Sequence, residues 1–154
     1  MTGRLREATV GDAMAIAALH CSSFYRGWSS DEVRQLLSGS GGVGFIIDIE
    51  GKEAGFLLAC SIIPEAEILS LVVDLAFRRC GLATDLLGAL ENELLLRACD
   101  KIFLEVAETN DAAIKLYERH SFKQVGFRPA YYQSAGDCRI NALVLRKNLC
   151  IREI

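Results

Sequence analysis

Three places in the chain hold side chains that could do chemistry together. In Lys101-Ile102-Phe103-Leu104-Glu105-Val106-Ala107 a carboxylate sits in the middle of an apolar run. Alternation along a strand puts Ile102, Leu104 and Val106 on one face and Glu105 with Phe103 on the other. Partial desolvation there is expected to raise the carboxyl's pKa toward that of a useful base. The same residue reads equally as half of a structural ion pair with an arginine. Glu108, on the opposite strand parity, is a weaker candidate base. Tyr117, in Ile114-Lys115-Leu116-Tyr117-Glu118, falls late in a short helical pattern just after that run. A phenol can protonate a leaving group only when held close to it. A lone tyrosine reads at least as well as a core aromatic with its hydroxyl at the surface. The third place is Arg78-Arg79-Cys80-Gly81-Leu82-Ala83. Its small residues let backbone come close to a ligand, and the helix that follows leaves first-turn N–H groups unpaired. Those donors, the helix dipole and two arginines make a candidate pyrophosphate cradle. An ordinary strand-to-helix turn would use the same residues.

The elements that must position these groups are legible around them. Ile68 to Val73 is apolar and rich in β-branched residues, as in a strand covered on both faces. Leu82 to Ala98 places Ala83, Leu86, Leu87, Leu90, Leu94 and Leu95 at three- and four-residue intervals, the stripe of an amphipathic helix. Upstream, Leu5 to Thr9 reads as an edge strand. Asp12 is expected to cap a helix to about Ser22, with Met14, Ile16, Ala17 and Leu19 inward. Ser29 and Glu32 form a capping box for a second helix carrying Val33, Leu36 and Leu37. Val43 to Ile49 and Ala54 to Ile63 form a hairpin joined through Glu50 to Glu53, and Pro64 to Glu67 turns the chain into the central strand. Downstream, Lys101 to Ala107 is a strand, and Asn110 caps a helix to about His120. Phe122 to Tyr131 and Cys138 to Leu145 close the fold. The order predicts an α/β domain over residues 1–154: a mixed, mostly antiparallel sheet with helices on both faces.

Composition narrows the function. A chain of 154 residues, 51% hydrophobic, can bury a full core in one domain. A net charge of −3 and a pI near 5.4 argue against a general nucleic-acid binder. The six cysteines (Cys21, Cys60, Cys80, Cys99, Cys138 and Cys150) are scattered, with no C-x-x-C pair and two histidines in all, so reduced thiols are expected rather than disulfides or a metal. Cys80 stands apart, since a helix N-terminus beside arginines favours a thiolate, although it reads better as a bystander than as a nucleophile. The N-terminus lacks the apolar core of a signal peptide, and a cytoplasmic, membrane-free protein is expected.

Neither G-x-G-x-x-G nor Gly-Lys-Ser/Thr occurs at the loop. Its Arg-x-x-Gly-x-Ala resembles the acetyl-CoA pyrophosphate loop of the GNAT family of N-acetyltransferases. Leu104-Glu105-Val106, then Asn110-x-Ala112-Ala113-Ile114-x-Leu116-Tyr117-Glu118, then Phe122, is similar to the later half of such enzymes, in the family's order. More narrowly, the chain resembles the bacterial ribosomal-protein alanine N-acetyltransferase subgroup, with Trp28-Ser29, Val73-Asp74 and Tyr131-Tyr132 as further matches. It departs from the subgroup pattern at Ser121, where glycine is usual, at Leu75, where proline is frequent, and at Arg26-Gly27.

The resemblance implies acetyl-CoA as co-substrate, no metal, and a protein or peptide N-terminus as acceptor, in the subgroup an alanine of a small-subunit ribosomal protein. It implies direct transfer, with Glu105 as base and Tyr117 as acid. Leu71, Val72 and Val73 would pair with the pantetheine arm, whose end Tyr117 would also meet. Arg78, Arg79, Cys80, Gly81, Leu82, Ala83 and Thr84 would hold the pyrophosphate. Asn110 would bond the pantetheine end or nearby backbone. Splayed strands and a bulge beside the central strand would open the cofactor slot. Tyr25, Trp28, Tyr131 and Tyr132 are candidate acceptor contacts, with surface packing an equal alternative. A monomer is expected. Two other readings stay open: a small-molecule amine or lysine as acceptor, and an acyl-CoA-binding module without turnover, against which the presence of both Glu105 and Tyr117 argues.

Overall fold

The computed structural model describes residues 3–23, 28–133 and 139–150, with backbone alone for 21–23 and 131–133. Among them the chain forms a seven-stranded sheet in the order β1-β2-β3-β4-β5-β7-β6. The strands are β1 (Arg4–Glu7), β2 (Gly42–Ile49), β3 (Lys52–Ile62), β4 (Glu65–Val73), β5 (Lys101–Ala107), β6 (Lys123–Gln133) and β7 (Arg139–Asn148). The helices are α1 (Ala13–Ser23), α2 (Ser30–Ser38), α3 (Leu82–Leu96) and α4 (Asp111–Arg119). Every strand pairing is antiparallel except β4 with β5, which α3 connects as a crossover. The expected mixed sheet is therefore the one found.

Two apolar clusters lie on the two faces. Leu82, Leu86, Leu87, Leu90 and Leu94 of α3 pack with Phe45, Ile47, Leu57, Ile102, Leu104, Val106 and Tyr117. On the other face Ala13 and Ile16 of α1 and Val33 of α2 pack with Ile46, Phe56, Leu58 and Val72. Each fully buried leucine of α3 contributes about 2 kcal/mol, which outweighs any propensity difference along the helix. Leu95 (37% exposed) falls off the buried stripe, and the helix stops at Leu96, since Ala98 takes φ 62°.

Several boundaries differ from expectation for local reasons. The first strand is Arg4–Glu7, because Thr9 N–H turns to donate to Asp12 Oδ2 at 2.8 Å. Asp12 closes a 3₁₀ turn, Val10–Asp12, ahead of α1 instead of capping it, and its carboxylate takes Arg6 at 2.8 and 2.9 Å. That hydrogen-bonded guanidinium holds the Asp12 carboxyl below its ordinary range, although burial opposes the shift. Met14 is 70% exposed; the inward stripe of α1 is Ala13, Ile16, Ala17 and His20. The β2–β3 hairpin needs only two turn residues, Glu50 (φ 52°) and Gly51 (φ 79°), so β3 begins at Lys52. The central strand starts at Glu65, where Ala66 already faces the core between exposed Glu65 and Glu67.

α2 carries the expected box, with Ser29 Oγ accepting from Glu32 N–H at 3.1 Å and Ser29 N–H donating to Glu32 Oε1 at 3.2 Å. Leu75, in place of the subgroup's proline, opens a 3₁₀ turn that Asp74 Oδ1 caps through Ala76 N–H at 3.0 Å. Proline and leucine are both compatible with that first position. Ser121 closes α4 at φ 70°, a left-handed conformation that favours glycine. Ser121 and Phe122 N–H groups still donate to Glu118 and Tyr117 carbonyls, so the serine strains the cap without undoing it. Ser121→Gly is expected to stabilise the protein by about 0.5 kcal/mol, since relief of strain outweighs the entropy glycine adds to the unfolded chain. Urea unfolding would show a higher midpoint at an unchanged slope, and a lower midpoint would refute this reading of the cap.

Candidate active site

β4 and β5 are paired only from Glu65↔Lys101 to Ile68↔Leu104. Beyond that register the two strands part, while β4 continues to pair with β3 as far as Gly55↔Val73. Where they part, the β3–β4 register shifts between Leu58↔Ser70 and Ala59↔Ile68, leaving Leu69 as an extra residue. The bulge also inverts parity. Ala66 and Ile68 face α3 before it, whereas Leu71 and Val73 face α3 and Val72 faces α1 after it. One backbone edge of Leu69 to Val73 is thereby left without a strand partner among the described residues, and such an edge can pair with an extended ligand.

The loop into α3 is shaped to receive an anion. Arg79 (φ 63°) and Gly81 (φ 80°) both take left-handed conformations, and Gly81 is the N-cap of α3. Having no side chain, this cap leaves the first-turn N–H groups of Leu82, Ala83 and Thr84 uncovered. A diphosphate fits such a set of open donors at the positive end of a fifteen-residue helix. Arg78 turns back, its Nε donating to Val73 O at 3.1 Å, and so ties the loop to the end of β4. Cys80 is an exposed free thiol, its Sγ 3.6 Å from Arg78 O. Thr84 Oγ1 lies 3.0 Å from His120 Nε2, which fastens the first turn of α3 to the end of α4. That link had no signature in the sequence, being made 36 residues apart.

Glu105 and Tyr117 flank the parting strands from opposite faces. Glu105 is the first β5 residue beyond the last β4 pairing, and its side chain lies on the face away from α3. Tyr117 is 7% exposed in the α3-side cluster, its ring edge-on to Phe122 at 5.4 Å between centroids. Asn110 is the N-cap of α4, its Oδ1 accepting from Ala113 N–H at 3.2 Å. Glu108 lies exposed beyond the end of β5.

The ion pair with an arginine that the sequence allowed for Glu105 is formed, with a partner the sequence did not identify. Arg128 Nη1 donates to both carboxylate oxygens, at 2.8 and 3.1 Å, with the glutamate side chain 19% exposed and the arginine 53%. Arg128 reaches Glu105 across β7, since Glu105 pairs with Val144, Val144 with Gly126, and Arg128 follows Gly126 by two residues on the same face; only the sheet order reveals this. Glu67 on β4 was also missed. Burial pushes its carboxyl pKa up, the like charge of Glu105 adds to the shift, and Arg128 offsets part of it.

Of the aromatic candidates, Trp28 packs on the α1–α2 cluster, and its backbone N–H donates to His20 Nδ1 at 3.2 Å. Buried His20, its pKa lowered first by desolvation, stacks on Phe56 at 6.2 Å. Tyr25 lies outside the described residues. Tyr131 and Tyr132 lie on the backbone of β6 beside its second irregularity. No group of three or more potential metal ligands gathers among the described residues.

Residues 13–122 match the model of the acetyltransferase (GNAT) family. The chain belongs to that family. Acetyl-CoA is accordingly the acetyl donor. A relative from Haemophilus ducreyi, a ribosomal protein bS18-alanine N-acetyltransferase, is 37% identical over 90 residues, 58% of this chain and 62% of the relative. The crystal structure of the ribosomal-protein-S18-alanine N-acetyltransferase of Escherichia coli superposes with a TM-score of 0.90 at 26% identity, covering 99% of this chain and 97% of that one. The structure of NAA60 from Arabidopsis thaliana in complex with acetyl-CoA has a TM-score of 0.83 at 20% identity, covering 96% and 99%, and shares the fold. Gly81→Ala should weaken acetyl-CoA binding roughly fivefold, because alanine at φ 80° costs about 1 kcal/mol and draws the first-turn donors out of line. Titration calorimetry would measure it, and unchanged affinity would remove this loop from the binding site.

Proposed function

We propose that the chain transfers an acetyl group from acetyl-CoA directly to the N-terminal α-amine of a protein, with the N-terminal alanine of a small-subunit ribosomal protein as the leading acceptor. The observation that carries this reading is the placement of Glu105 and Tyr117 on opposite faces of one opening. An amine arriving from the Glu105 face and a thiolate departing toward the Tyr117 face need not cross. The relatives' acceptor, a ribosomal-protein alanine, supports the choice of amine. Cytoplasmic action follows from that acceptor.

Bound acetyl-CoA supplies the thioester. Leu71 to Val73 would hold its pantetheine arm by backbone pairing, and Arg79 to Thr84 its pyrophosphate. The amine nitrogen bonds to the acetyl carbon, the carbon–sulfur bond breaks, and Glu105 takes the amine proton directly or through one water. Tyr117 gives its phenolic proton to the sulfur, and solvent then returns a proton from the carboxyl to the phenolate. Orienting both reactants supplies much of the rate. An α-amine titrates near 8 against about 10.4 for lysine, so far more of it is already neutral at pH 7 and a carboxylate base suffices.

The test is thiol release from acetyl-CoA with a short peptide beginning Ala-Arg, beside its N-blocked copy and free lysine. Transfer to the free N-terminus alone is expected, and Tyr117→Phe should lower kcat about a hundredfold. Equal reaction of lysine or the blocked peptide would refute the acceptor, and an unaffected Tyr117→Phe would refute the acid.

A further inference from the structure

Where the first turn of α3 meets the last turn of α4, one hydrogen bond joins two elements that do different work. Thr84, the third residue of α3, has its Oγ1 3.0 Å from His120 Nε2. His120 is the C-cap of α4, and its backbone N–H donates to Leu116 O at 3.2 Å and Tyr117 O at 3.0 Å. The ring therefore hangs from the turn that holds Tyr117 and reaches the turn whose N–H groups are open to an anion. Neither helix needs this bond for its own placement. Five buried leucines anchor α3, and buried Tyr117 with the Asn110 cap anchors α4.

The bond has two polarities. With its proton on Nδ1, a neutral imidazole accepts at Nε2, and the Thr84 hydroxyl proton points at the ring, away from the open loop. With a proton on Nε2, Thr84 Oγ1 accepts and its own proton is free to turn toward an anion at the start of α3. An anion there favours the second arrangement. It favours the imidazolium above either neutral form, since that places a positive charge one hydroxyl away from it. The charged groups facing the ring come from three elements, Glu91 of α3, Lys147 of β7 and Arg119 of α4 itself. Lys147 is bonded to Glu91, so those two charges largely offset at the ring. Burial, with Lys147 and then Arg119 acting against Glu91, leaves the free His120 below the ordinary histidine range and neutral at pH 7.

Resting on the reading of Arg79 to Thr84 as the pyrophosphate site, we infer that His120 is a positioning residue for acetyl-CoA. As the donor binds, the ring takes up a proton from solvent, donates from Nε2 to Thr84 Oγ1, and frees the Thr84 hydroxyl for a phosphate oxygen. The turn that carries Tyr117 is thereby fastened to the turn that holds the diphosphate. Because the bound form keeps the proton more tightly than the free one, affinity for acetyl-CoA rises as the pH falls from 8 to 6.

The experiment is titration calorimetry of acetyl-CoA into the full chain at pH 6.5, in two buffers of different ionisation enthalpy, for the wild type, His120→Gln, Thr84→Val and the double variant. Glutamine places an N–H donor where Nε2 stands but cannot titrate. Subtracting its result removes any proton exchanged by the donor's own phosphates. The wild type should take up roughly 0.4 proton more than His120→Gln per donor bound, as for a histidine moved by about one pH unit, and should bind about threefold more tightly at pH 6 than at pH 8. His120→Gln should match the wild type within about twofold at pH 8 and lose the excess pH dependence. Thr84→Val should weaken binding about fivefold, and His120→Gln should add nothing to that loss at pH 8. Proton uptake per bound donor does not depend on the fraction of folded protein. Equal uptake by the wild type and His120→Gln, or a Thr84→Val variant of unchanged affinity, would overturn the role of His120 while a weakened Gly81→Ala left the pyrophosphate site standing. Unchanged affinity in Gly81→Ala and Thr84→Val alike would overturn both.

Discussion

Two strands that pair and then part are the constraint on which the site depends. β4 and β5 can hydrogen-bond as parallel neighbours only while their registers agree, and the extra residue at Leu69 ends that agreement after Ile68 and Leu104. A parallel pair without this bulge could continue past Ile68 and Leu104 toward the end of β5 and narrow the slot. The bulge also turns Leu71 and Val73 toward α3, which keeps the face under the helix apolar up to the end of the strand. The helix that follows is anchored by five buried leucines, so its N-terminus is held firmly just beyond the opening. Rigid packing thus fixes where an anion and an extended arm would lie, beside a β4 edge left unpaired among the described residues.

Charge is distributed in keeping with this frame. The α3 side of the opening is apolar and carries Tyr117, whereas the other side carries Glu67, Glu105 and Arg128. A neutral phenol belongs where desolvation would penalise an ion, and carboxylates belong where water and an amine can reach them. Arg128 holds Glu105 in place through two hydrogen bonds, so the carboxylate is oriented instead of freely rotating.

The local half of this design was legible in the sequence. Apolar alternation placed Glu105 opposite Leu104 and Val106, the box Ser29–Glu32 placed α2, and Gly81 marked the start of α3, because each signal spans only a few residues. The misreadings were also local in origin. Met14 falls outside the stripe because Ala13, Ile16, Ala17 and His20 keep the three- and four-residue spacing of one helix face and Met14 does not, and the central strand was read three residues short because Glu65 and Glu67 look like a turn when their solvated face is not known. What could not be read are contacts made by topology: Arg128 with Glu105 across the intervening β7, Thr84 with His120, and the Trp28 backbone N–H with His20. The departures at Ser121 and Leu75 were visible as departures, but only backbone geometry shows that the first strains a cap and the second fits its turn.

Amide hydrogen exchange with and without acetyl-CoA tests the central claim most directly. Binding in the opening should protect the β4 segment from Leu69 to Val73 and the first turn of α3 from Leu82 to Thr84, while leaving the β1–β2 edge unchanged. Protection that spares both segments, or that appears equally across the sheet, would contradict the claim that the parted strands are where the acetyl donor lies.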